Sequence, residues 1–205
     1  MTLVAILDLA SVFVFALTGA LAASRAQLDL VGFIFLATLT GVGGGTLRDL
    51  VLDRTVVWVA NPHYIGVICL AAVLVFFTAH LLESRIKALN WLDAFALAVA
   101  VPAGVGITLQ FEDHWVVVMI LGMMTGCMGG LMRDVVCNQV PMVLSKELYV
   151  TCALAGAGAA MGAMSLGLDQ WRALILCAGV TFALRAGSLL LGWKLPVYRS
   201  RPPRQ

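Results

Sequence analysis

The sequence predicts an all-α integral membrane protein of seven transmembrane helices, with the first six arranged as two inverted three-helix repeats. Three observations predict it: a composition too apolar for water, seven apolar stretches of spanning length, and a self-similarity at an offset of 85 residues. Of the 205 residues, 61% are hydrophobic and 12% charged, against about 45–50% apolar and about 25% charged in soluble domains. The mean hydropathy is +0.99. A formal net charge of +2 offers no basic field for nucleic acid, so none is expected as a partner. Cys69, Cys127, Cys137, Cys152 and Cys177 all fall in apolar stretches, are odd in number and form no CxxC or Cys/His cluster. They read as small buried hydrophobes, and no metal or other cofactor is expected.

The apolar stretches are Leu3–Ala23, Leu30–Leu52, Tyr64–Leu82, Trp91–Leu109, Trp115–Val136, Leu148–Leu168 and Trp171–Trp193. Each approaches the roughly 20 residues that cross about 30 Å of hydrocarbon. The first has no basic residue before it and contains Asp8, so it reads as a retained helix and not a cleaved leader. Trp58, Trp91, Trp115, Trp171 and Trp193 fall at or just outside the predicted ends, where an amphipathic indole is best solvated. Between spans, one side carries only Arg54 and Arg172, while the other carries Arg25, Arg85, Lys87, Lys146, Lys194, Arg199, Arg201 and Arg204. The positive-inside rule then predicts an outward N-terminus and a cytoplasmic tail, Lys194–Gln205, lying near anionic membrane lipid.

Sliding the chain along itself by 85 positions aligns Leu7-Asp8 with Leu92-Asp93, Gly19 with Gly104 and Thr40-Gly41 with Thr125-Gly126. It also aligns Gly44-Gly45 with Gly129-Gly130, Arg48-Asp49 with Arg133-Asp134 and Tyr64 with Tyr149. Spans 1–3 therefore correspond to spans 4–6. Because three is odd, the second copy enters the membrane from the opposite face. The resulting division is a first repeat 1–86, an inverted repeat 87–169, a seventh helix 170–193 and a basic tail 194–205. Inverted repeats place a pathway near the midplane at their interface, built from interrupted helices.

The glycine clusters mark where that pathway is expected. Gly41, Gly43, Gly44 and Gly45 precede Arg48-Asp49; Gly126, Gly129 and Gly130 precede Arg133-Asp134. Glycines inside a membrane helix allow close backbone approach and weaken the helix, so both second helices are expected to kink there. Neither segment has the GK[ST] ending or preceding strand of a phosphate loop. An Arg or Asp at bilayer depth costs about 2.5–3.5 kcal/mol on insertion scales, and the same costly pair occurs twice. Two readings stand: the charges brace closely packed helices, or they border a polar pathway.

These doubled glycine segments ending in Arg-Asp, the 3+3+1 plan and the stretch Val140-Pro141-Met142-Val143-Leu144 with Glu147 and Tyr149 resemble the bacterial branch of the TRIC family, the trimeric intracellular cation channels, also called UPF0126 inner-membrane proteins. The resemblance implies a bacterial inner-membrane homotrimer, one pore per protomer bordered by spans 2 and 5, and passage of the monovalent cations K⁺ and Na⁺. Some bacterial members are described instead as glycine transporters, which keeps a secondary transporter of a small amino acid as the alternative. The second motif departs from the pattern, with Cys127-Met128 in place of Val-Gly.

Asp8 and Asp93 sit near the predicted starts of spans 1 and 4. There each either attracts cations at a pore mouth or favours a helix N-terminus. Arg185, deep in span 7, either neutralises a carboxylate or snorkels along its stem. The three histidines lack metal spacing, and the distribution shows no Ser/His/Asp or Cys/His arrangement, so an enzyme is not expected. The mechanism expected of a channel is a hydrated constriction at the kinks. Carbonyls freed at Gly43–Gly45 and Gly129–Gly130 replace ion hydration there, and Arg48 and Arg133, held by Asp49, Asp134 or another carboxylate, limit entry.

Overall fold

The computed structural model describes residues 3–82, 84–145 and 147–196. Lys146 and most of the basic tail, residues 197–205, lie outside them, so the tail's expected place near lipid does too. The described residues form helices α1 (Leu3–Arg25), α2 (Leu30–Val51), α3 (Val57–Ala60), α4 (His63–Thr78), α5 (Arg85–Thr108), α6 (Trp115–Val136), α7 (Val150–Ser165) and α8 (Gln170–Leu191). Six helical segments are long and apolar enough to cross a membrane; α4 reaches that length with the 3₁₀ turn that extends it to Leu81, and α7 is a shorter apolar helix.

The ends follow local chemistry. Asp29 caps α2 by accepting from the Gly32 N–H at 2.8 Å, which satisfies one of the orphan donors of a helix start. Ser84 does the same for α5 through the Lys87 N–H. That cap corrects the expected start of the fourth span, which begins at Arg85 rather than Trp91: the polar turn 85–90 is already helical, and Trp91 lies inside the helix. α2 and α6 both end in a left-handed residue, Asp53 (φ 49°) and Asn138 (φ 51°). Asp and Asn tolerate that region better than other residues with a Cβ. In both, the next N–H reaches back to a carbonyl of the last turn, Arg54 N–H to Asp49 O at 3.0 Å and Gln139 N–H to Asp134 O at 2.8 Å, as in a Schellman cap.

Consecutive long helices alternate in direction. Arg85 donates to Ser24 O and Ala79 O, which ties together the connections after α1 and α4. Arg54 lies over the Phe111 ring at 5.0 Å, which joins the connections after α2 and α5 at the other end. α5 is the most buried span and is rich in small residues, with Ala94, Ala96, Ala100, Val101 and Ala103 buried against its neighbours. Lipid tails are as apolar as these side chains, so close van der Waals packing, not escape from water, supplies much of the cohesion.

The glycines act through that packing. A Cβ on Gly44 would run into the Thr125 carbonyl oxygen, and one on Gly129 into that of Thr40, so α2 and α6 cross in reciprocal backbone contact. Gly19 and Gly104 meet the same threonines, with Thr40 Oγ1 and Thr125 Oγ1 each 2.6 Å from the Cβ they lack. Both threonine hydroxyls donate to their own helix, Thr40 to Leu36 O and Thr125 to Leu121 O. This corrects the expected release of carbonyls at Gly43–Gly45 and Gly129–Gly130: α2 and α6 remain α-helical without a break through their glycines. The close crossing replaces the interruption. Gly41 and Gly126 instead accommodate Val12 on α1 and Val101 and Leu97 on α5.

Candidate functional site

On either side of this crossing lies a buried cluster of charges. Arg48, in the last turn of α2, is fully buried; it reaches Asp8 Oδ1 on α1 at 3.2 Å and Asp49 Oδ1 at 2.8 Å. Tyr64, at the start of α4, donates its hydroxyl to Asp8 Oδ2 at 3.1 Å. Asp49 Oδ2 accepts the Val57 N–H at 2.9 Å, so the carboxylate also fixes the returning loop.

The second cluster repeats this plan 85 residues on. Arg133 is fully buried, with Nη1 3.0 Å from Asp93 Oδ1 and Nε 2.8 Å from Asp134 Oδ1. Asp134 Oδ2 accepts the Met142 N–H at 3.1 Å. One contact crosses between halves: Arg133 Nη1 donates to Thr18 Oγ1 at 3.0 Å. The positively charged last turn of each helix also faces its own C-terminal carbonyls, a favourable position for a cation.

Asp8 and Asp93, expected at open mouths, are both buried. The reason is geometric: α1 starts five residues before Asp8 and α5 eight before Asp93, which carries both carboxylates inward under the arginines. Asp49 and Asp134 do hold the arginines, and the further carboxylates are Asp8 and Asp93. Two carboxylates per arginine, buried from water, would be prohibitively costly without these hydrogen bonds.

Arg185 pairs with Glu147 at 2.8 Å, donates to Leu148 O at 3.2 Å and lies over the Tyr149 ring at 5.1 Å. The neutralising reading of this residue therefore describes its place. Around it, Arg25, Asn90, Asp134, Gln139, Met142 and Glu147 line a cavity of about 170 Å³. A second cavity of the same size shares Arg25, Asp134 and Gln139. Together they form a polar vestibule at the Arg25 end that reaches Asp134. Sequence reading missed Arg54, Gln139, Thr18 and Met142 as members of these surroundings. A signal existed for the first two, since they occupy equivalent places in the repeat and differ in charge.

A bundle of apolar helices closed around two buried arginine–carboxylate clusters defines a polytopic membrane protein with polar groups reserved for its interior. A family model described as "Glycine transporter" matches residues 5–80 and again residues 90–165, two segments related by the same offset of 85. A UPF0126 membrane protein of Vibrio cholerae is 35% identical over 203 residues, covering 96% of this chain and 83% of its own. The UPF0126 inner membrane protein YadS of Escherichia coli K12 is 33% identical over 198 residues, 94% of each chain. The solved structure of the TRIC trimeric intracellular cation channel orthologue from Rhodobacter sphaeroides matches with a TM-score of 0.91 at 39% identity, over 94% of this chain and 100% of that one. The chain belongs to this family of membrane proteins, UPF0126, and has the TRIC fold.

Proposed function

We propose that the protein is a monovalent cation channel for K⁺ and Na⁺, acting as a homotrimer of the bacterial inner membrane with one pore in each protomer. The observation that carries this reading is the pair of buried clusters, each with two carboxylates around one fully buried arginine, set on either side of the α2–α6 crossing. A pathway between them presents carboxylate oxygens to a cation, while each arginine occupies the oxygens until it is displaced. In this state Arg48 and Arg133 close the path.

Opening requires α2 and α6 to move at the Gly44–Thr125 and Gly129–Thr40 contacts, which draws each arginine off Asp8 or Asp93. The seven spans form two inverted repeats, 1–86 and 87–169, plus α8 in 170–193. The paired ends of alternate connections and the two equivalent clusters support this arrangement. The Arg25 end faces the cytoplasm and the Arg54 end faces outward, in line with the bias of basic residues. The trimeric, cation-conducting nature of the Rhodobacter sphaeroides protein supports the assembly and the cargo.

The family model's description favours a second reading, a secondary transporter of glycine. Purified protein in planar bilayers and in liposomes separates the two. The channel reading expects unitary K⁺ currents, abolished by Gly44→Val and increased in open probability by Arg48→Gln. Saturable uptake of radiolabelled glycine without unitary currents would sink it.

A further inference from the structure

The offset of 85 relates Thr18 to Ala103, and at that place the two arginines are held differently. Thr18 on α1 is fully buried; its hydroxyl donates to Phe15 O at 2.8 Å and accepts from Arg133 Nη1 at 3.0 Å. The bond ties the end of α6, in the second repeat, to α1, in the first. The equivalent bond would run from Arg48 on α2 to residue 103 on α5, where the buried Ala103 side chain offers no acceptor. Among the described residues Arg48 has hydrogen bonds to Asp8 and Asp49 alone, and its Nη2 lies beside Asp49 Oδ1 without the geometry of one. Arg133 uses Asp93, Asp134 and Thr18 and touches Met142 Sδ at 3.9 Å.

The carboxylates left behind differ in the same sense. If Arg48 withdraws, Asp8 keeps the Tyr64 hydroxyl, and Asp49 keeps the Val57 N–H and Arg54 at 3.7 Å. If Arg133 withdraws, Asp134 keeps the Met142 N–H, but Gln139 stands in the place of Arg54. Among the described residues no second cation lies within ion-pair distance of Asp93 or Asp134. A buried carboxylate stripped of its counter-charge is costly, so withdrawal is the more expensive step in the second cluster.

We propose that Thr18 is a positioning residue that fixes Arg133 and makes the two gates unequal. α6 stays pinned to α1, while α2, with no such strut to α5, carries Arg48 off Asp8 when the path opens. The glycine crossing is reciprocal and favours neither helix; the strut decides between them. Thr18 acts through Arg133 and meets no ion itself. A hydrogen bond to a charged group is among the stronger neutral–ionic contacts a side chain makes, and this one joins helices of different repeats. The strut rests on the channel reading for its role in flux, while its hold on α6 is measured without flux.

The test is amide hydrogen exchange of the full chain in detergent, which reports local opening along each helix. Thr18→Val keeps the branched shape and removes the acceptor. It should speed exchange over residues 132–137, the end of α6, about tenfold, the effect of losing one hydrogen bond to a charged group. Residues 47–52, the end of α2, should be unchanged. Thr18→Ser restores an acceptor and should return 132–137 to the unmodified rate. Ala103→Ser gives Arg48 the acceptor it lacks and should slow 47–52. A Thr18 that only fills space would loosen α1 around it and gain nothing from serine. Unchanged exchange over 132–137 in Thr18→Val, loosening confined to α1, or equal loosening in Thr18→Ser overturns the strut. Should Thr18→Val not fold, Ala103→Ser decides, and unchanged exchange over 47–52 in that variant overturns it. In planar bilayers run in parallel, Thr18→Val should raise open probability and Ala103→Ser lower it. The exchange changes without currents strike the channel reading alone, and currents with exchange unmoved strike the strut alone.

Discussion

The Arg48 and Arg133 clusters share a plan and differ in how completely it is filled. Both set an arginine from the last turn of a glycine-rich helix against a carboxylate from the preceding helix and against its own following aspartate, which in turn holds the returning loop. In the first, Tyr64 and Arg54 complete the set. In the second, Tyr149 is buried with the Arg185 guanidinium over its ring, Gln139 brings no charge, and Thr18 and Met142 add side-chain contacts to Arg133 that Arg48 lacks. A duplicated scaffold has thus kept the costly ionic centre twice. The two surroundings have diverged, one sealed and one open to a vestibule.

The sharpest way to break this comparison is to remove each arginine. Arg133→Ala leaves Asp93 and Asp134 buried with no counter-charge, and loss of one partner of a buried pair costs about 3–5 kcal/mol. Arg48→Ala should cost less, because Arg54 is already 3.7 Å from Asp49. Thermal unfolding in detergent should therefore rank Arg133→Ala well below Arg48→Ala. Equal losses would show that Arg54 gives no cover.

The crossing comes next and should behave symmetrically. Valine at Gly44 or Gly129 drives a side chain into a carbonyl on the opposite helix, at a cost of about 1–3 kcal/mol for overpacking. Both variants should insert and lose most of their flux. Gly45→Ala, whose Cβ meets only the Arg48 guanidinium at 3.6 Å, should keep stability within about 1 kcal/mol. A Gly45→Ala variant as damaged as Gly44→Val would refute the contact argument.

The tyrosines give a smaller contrast. Tyr64→Phe removes a 3.1 Å hydrogen bond to a carboxylate, worth about 1.5–3 kcal/mol, whereas Tyr149→Phe removes a hydroxyl that makes no bond of that length and should cost less. If Tyr149→Phe proved the more destabilising, the asymmetry drawn between the clusters would fail. Smaller than Tyr64→Phe, Arg54→Gln breaks a longer, partly exposed pair and should cost about 1 kcal/mol or less. It should still exceed Arg172→Ala, whose pair with Asp169 is solvent-exposed on both sides.

Much of this was legible before any coordinates. Six of the seven apolar stretches begin within two residues of their helices, because a span must be apolar whatever surrounds it. The fourth was misplaced by six residues, since Ser84 starts α5 in a polar turn that hydropathy cannot see. The offset of 85 exposed the arginine, the two aspartates and the tyrosine of each ionic centre by equivalence, but not Arg54, Gln139, Thr18 or Met142 beside them. It did not reveal their depth, because where each helix starts and what packs against it decided whether Asp8 and Asp93 opened to water or lay under the arginines.

The sequence by itself determined that this chain lives in a membrane, that it is built from a duplicated unit, and which glycines, arginines and aspartates recur in it. Composition and periodicity carry that information locally, residue by residue. Only the tertiary structure decided that the glycines join α2 to α6 without breaking them, that the carboxylates face inward, and that the second cluster is short of one tyrosine bond and one positive charge. Those outcomes depend on which atoms from distant helices meet within about 3 Å, and a linear order of residues does not contain that geometry.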